Sequence, residues 1–83
     1  MLTGEIVKRR GPFWSADVAA IHLYTQGTSV ADAVSMIKDA IEGLVDQPGF
    51  EVTVTEVRVE PDRVLVEITA NQPELLVNCN SNH

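Results

Sequence analysis

The chain has 83 residues, enough for one domain, and a domain this short leaves much of its surface outside its core. A formal net charge of -6 repels phosphate backbones and anionic membrane surfaces, so general nucleic-acid or lipid binding is disfavoured and a basic partner is favoured. A single cysteine, Cys79, excludes an intramolecular disulfide, and two histidines without clustered ligands give no metal-ligand spacing.

Hydrophobic residues make up 45% of the chain, so apolar surface remains for self-association, the remaining way to enlarge a small core. Met1-Leu2-Thr3-Gly4-Glu5 lacks a long apolar run, so no signal peptide is expected. No apolar stretch approaches the roughly 20 residues that span a bilayer. With one free thiol, the expected compartment is the cytoplasm.

From Leu2 to Lys8, positions 2, 4, 6 and 8 alternate with 3, 5, 7 and 9, which predicts a first strand. Gly11-Pro12 marks a turn. Phe13 to Ala20 alternates again, with Trp14, Ala16, Val18 and Ala20 on one face, and predicts a second strand paired with the first as a hairpin. A third, short strand is expected around His22 to Gln26, closed by Gly27.

Thr28-Ser29 opens a helix: Ser29 is placed to accept a backbone N–H of the first turn, and Asp32 stands three residues on, as in a capping box. Val30, Ala33, Val34, Ile37, Ala40, Ile41, Leu44 and Val45 recur at steps of three and four and form one apolar stripe. Asp32, Ser35, Lys38, Asp39, Glu42 and Asp46 take the other side. Gln47-Pro48-Gly49 stops the helix.

Phe50 to Glu60 is rich in Val and Thr and predicts a strand, but Val52 and Val54 share one parity while Val57 and Val59 share the other. A bulge near Thr55-Glu56 reconciles them; so does partial burial of both faces. Pro61-Asp62 is a turn, and Arg63 to Ala70 is the last strand, with Val64, Val66, Ile68 and Ala70 on one face. The expected organisation is an α+β domain over residues 1–70, an antiparallel sheet with one long helix on one face in the order β-β-β-α-β-β. Residues 71–83 form a tail in which Leu75-Leu76-Val77 can pack and the last six residues are expected to be disordered. One helix covers one face of such a sheet, so the face bearing Phe13, Leu65 and part of the 52–59 segment is solvated or meets a partner.

No catalytic motif stands out: the glycines are scattered, no nucleophile elbow occurs, and no cofactor or metal is implied. Cys79 in its polar tail reads as an ordinary thiol, and His22 as a structural or surface residue, with a base or pH sensor as the alternative. Asp32, Asp39, Glu42 and Asp46 suit a solvated face, a basic partner or, less well, Mg²⁺, since their spacings do not converge. Lys8-Arg9-Arg10 is a hairpin end or a phosphate contact. Trp14 is a core residue under the helix or a base-stacking one.

Three runs carry a resemblance: Phe13-Trp14-Ser15-Ala16-Asp17-Val18, then Thr25-Gln26-Gly27-Thr28-Ser29-Val30-Ala31-Asp32-Ala33-Val34, then Ile37-Lys38-Asp39-Ala40-Ile41-Glu42. In order and spacing they resemble the HicB-like antitoxin domain, with its aromatic strand, Thr/Ser-Gln-Gly turn and helix opening Thr/Ser-x-x-Glu-Ala, over roughly residues 4 to 46. Trp14, Gly27, Ser29, Ala33, Ile37 and Ile41 are the structural positions of that pattern. The resemblance implies a degenerate RNase H-like fold without its carboxylate set. It also implies a cytoplasmic, oligomeric, non-catalytic antitoxin that masks HicA, a small basic ribonuclease toxin. The family's usual DNA-binding module has no counterpart in these residues, so direct DNA binding is not expected. Contact with the toxin is expected through Tyr24, Asp32, Asp39 and Glu42. The alternatives are an orphan HicB-like homo-oligomeric scaffold or regulator, and a small metal-dependent nuclease using Asp17 or Asp32.

Overall fold

Period-two patterning and one helical stripe are enough to build two layers, and the computed structural model, which describes residues 2–76, shows how they meet. Strands β1 (Leu2–Lys8) and β2 (Trp14–Val18) lead through a 3-10 turn (Ala19–Ile21) to β3 (Leu23–Gly27). Helix α1 (Val30–Val45) follows, then β4 (Val52–Glu60) and β5 (Arg63–Ala70). All five strands join one antiparallel sheet whose lateral order, β3-β2-β1-β5-β4, is not the order along the chain. The first strand and the last lie side by side in its middle, so both ends of the described chain are tied into the fold.

Register explains which face is covered. Ile6 stands opposite Ala16 on one side and Val64 on the other, Leu2 opposite Ile68, and Val18 opposite Leu23. Directly opposed residues share a face. Ile6, Ala16, Val18, Val64, Val66 and Ile68 are buried there against Ala33, Ile37 and Ile41 of α1. Burying each such Ile or Val contributes about 1.5–3 kcal/mol. Trp14 packs against this core and is only partly buried. Leu76 is 2% exposed, so the tail adds to the core at least as far as that residue.

The second strand is shorter than expected. Ala19, Ala20 and Ile21 leave the sheet as a 3-10 turn closed by His22 in the left-handed region at φ 55°. The alternation of small apolar residues does not distinguish this turn from strand. Leu44, placed on the apolar stripe by its spacing, is 59% exposed, although Val45 beside it packs against the core. In β4 the register shifts between Glu56 and Arg58, so Val57 is the inserted residue, just beyond the expected position. The bulge returns Val59 to the face of Val52 and Val54, opposite Val64, although Val59 itself is exposed. Val77, Cys79, the final six residues and His83 lie outside the described residues.

Candidate partner-binding surface

The start of α1 uses both expected capping groups. Ser29 Oγ accepts the Asp32 N–H at 3.0 Å, and Asp32 Oδ2 accepts the Thr28 N–H at 2.9 Å and the Thr28 hydroxyl at 3.3 Å. The box closes on Thr28, one residue before the cap, because the carboxylate of Asp32 reaches past Ser29. Asp32 is thus exposed but occupied, and its charge also lies at the positive end of the helix dipole. Just upstream, a Cβ on Gly27 would lie 2.5 Å from the Ala33 backbone nitrogen. Only glycine lets β3 end this close to the helix.

Glu42 is further from a free acidic group than its helix position implied. Its Oε2 accepts the Val52 N–H at 2.9 Å and also takes Lys38 Nζ as an i,i+4 partner. The hydrogen bond from Lys38, and then that from Val52, hold its carboxyl below the ordinary value of 4.5. The same bond to Glu42 raises Lys38 above 10.5. Glu42 therefore ties the helix to the outer side of β4. Asp39 is exposed and has no side-chain bond within the described residues.

Tyr24 lies elsewhere. It is 58% exposed on β3 and stands opposite Asp17, on the face that the helix does not cover. The expected contact residues thus form two groups: Asp32, Asp39 and Glu42 on the helix, and Tyr24 across the sheet. Of the positions in the resemblance, Ala33, Ile37 and Ile41 are fully buried, Gly27 seats the helix and Ser29 caps it.

The helix-free face carries a feature that sequence reading passed over. Thr3, Glu5, Asp17, Val57, Leu65 and Glu67 line an open depression of about 490 Å³. Glu5 stands directly opposite Asp17, and Arg63 Nε offsets the like charges by pairing with Glu5 Oε2 at 2.6 Å. Strand parity places Glu5 and Glu67 on this face; only the register brings them beside Asp17. Nearby, Arg9 Nε donates to Ser15 Oγ at 2.9 Å, so this residue of the basic run braces the hairpin and satisfies the buried Ser15 hydroxyl.

Asp17 projects from the helix-free face and Asp32 caps the helix on the other, so the two do not converge. Among the described residues no group of three or more His, Cys, Asp or Glu is arranged to hold a metal ion. No helix among them is long and apolar enough to cross a membrane. The chain matches no family model, no curated protein and no solved structure.

Proposed function

We propose that this chain is a non-catalytic, HicB-like protein-binding domain that masks a small basic ribonuclease toxin of the HicA type. On this reading its body is a degenerate RNase H-like fold and its compartment the cytoplasm. The observation that carries the reading is the junction from β3 to α1. There Gln26 and Gly27 at the end of β3, the Ser29 cap and the buried Ala33, Ile37 and Ile41 are residues on which the resemblance rests, and they support the reading. The net charge of -6 supports a basic partner, because complementary potentials speed encounter and restrict partner choice.

Toxin contact is assigned to the exposed side of α1. Asp39 is the freest carboxylate, Asp32 and Glu42 add to the negative potential while holding their internal bonds, and Tyr24 serves only if the partner reaches around β3. Asp39→Lys is expected to weaken inhibition of a small basic ribonuclease about tenfold at low salt, with the helix content unchanged. Inhibition unaltered by that charge reversal would remove the helix from the interface. The second reading, an orphan homo-oligomeric scaffold or regulator, is favoured by the uncharged edge strand β3.

A further inference from the structure

We propose that β3 is a homotypic docking edge, on which a second copy of this chain lays its own β3 antiparallel about a two-fold axis through Thr25. The inference concerns self-association and stands whether or not a toxin exists.

β3 and β4 are the two edges of the sheet, and an edge strand presents unpaired backbone N–H and C=O groups to any strand that fits. The β4 edge is obstructed. Glu42 occupies the outward Val52 N–H, the bulge at Val57 breaks the pleat, Glu56, Arg58 and Glu60 add charge, and Pro61 ends the strand without a donor. The β3 edge, Leu23-Tyr24-Thr25-Gln26-Gly27, has no bulge, no proline and no charge.

The occupant follows from charge and register. Two copies of a chain with net charge -6 repel one another, so they meet best along a neutral strip. Among the described strands only β3 lacks a charged side chain. A two-fold axis at Thr25 sets Tyr24 opposite Gln26 of the second copy, and Gln26 opposite its Tyr24. Both residues are exposed on the helix-free face, and within one chain Gln26 Nε2 already donates to Tyr24 Oη at 3.4 Å. The strand is therefore self-complementary in donors and acceptors. Leu23 falls opposite Gly27, a large side chain against none. On the helix side Met36, 41% exposed, lies on the flank of α1 turned away from Glu42 and β4. That flank adds apolar area on the β3 side. Five paired residues bury less than a standard interface, so the dimer is weak, with a dissociation constant on the order of 1 μM or above.

Sedimentation equilibrium of the whole chain across a concentration series tests this directly. The wild type is expected to pass from monomer to dimer. Tyr24→Glu with Gln26→Glu, which sets carboxylates opposite one another twice, is expected to weaken the dimer about tenfold or more. Tyr24→Lys with Gln26→Glu restores it by setting opposite charges across the axis. Both positions are exposed, and circular dichroism confirms that each variant is folded. Val59→Lys on β4 leaves the dimer unchanged. A wild type that stays monomeric up to about 1 mM overturns the proposal. So does a dimer that ignores the β3 pairs and yields to Val59→Lys. A monomeric chain whose binding of a basic ribonuclease is lost with Tyr24→Glu and Gln26→Glu also overturns it, by giving the edge to that partner.

Discussion

Strand β3 closes one side of the sheet with five uncharged residues, whereas β4 closes the other with nine residues, a bulge and three charges. The longer edge is the greater hazard, because nine consecutive residues offer a template on which another chain can pair. It is also the edge where a helix side chain, Glu42, fills a backbone donor. The shorter edge is held instead by its covalent and steric link to the helix: Gly27 lies against Ala33 and Ser29 caps the next turn. One side of the molecule is guarded by polar groups at its rim, and the other is anchored by backbone proximity and left open outward.

Substitutions on either side break or sharpen that contrast. The largest effect is expected from Gly27→Ala. Its Cβ meets helix backbone, which has no flexible end to give way, so the chain loses roughly 3 kcal/mol in chemical denaturation. Ser29→Ala removes the cap beside it and costs about 1 kcal/mol by the same measurement. Gly43→Ala acts in the opposite direction. A Cβ there meets nothing within 4 Å, so the helix that carries Glu42 gains about 0.8 kcal/mol, read as a higher midpoint.

The smallest effect on stability belongs to the guard itself, and pH exposes it. The folded-state pKa of Glu42 is lowered, so its charge stabilises the fold above the ordinary 4.5, and that contribution is lost as pH falls through the folded value. Lys38 is raised, so its contribution is present below 10.5 and is lost as pH rises through its folded value. Denaturation midpoints of the wild type and Glu42→Gln are therefore expected to differ at neutral pH and to converge in acid. A difference that persists unchanged into acid would mean that the carboxylate charge has no part in holding β4.

Much of this fold is legible in the sequence because short-range chemistry decides it. The alternation over Leu2–Lys8 and Arg63–Ala70 and the helical stripe from Val30 to Val45 coincide with β1, β5 and α1. The parity change among the valines of β4 does point to a bulge. What escapes the sequence is set by contacts between distant segments. The 3-10 turn at Ala19–Ile21 follows an alternation that strand residues share. Leu44 stays 59% exposed while its neighbour Val45 packs against the core, a difference the helical spacing does not show. The carboxylate of Glu42 looks free until Val52, ten residues on, is brought beside it. Tyr24 and the helix acids look like one surface until the pairing of Tyr24 with Asp17 sends them to opposite sides of the sheet. The acidic group around the helix-free depression needs the register of β1 against both β2 and β5. No local pattern carries that register.

The most direct test of the partner-binding account is size-exclusion chromatography with light scattering after co-expression with a small basic ribonuclease encoded beside this chain. The account predicts a stable co-eluting complex whose mass exceeds that of the chain alone and in which ribonuclease activity is silent. Separate elution of the two proteins, with the ribonuclease fully active, would contradict it.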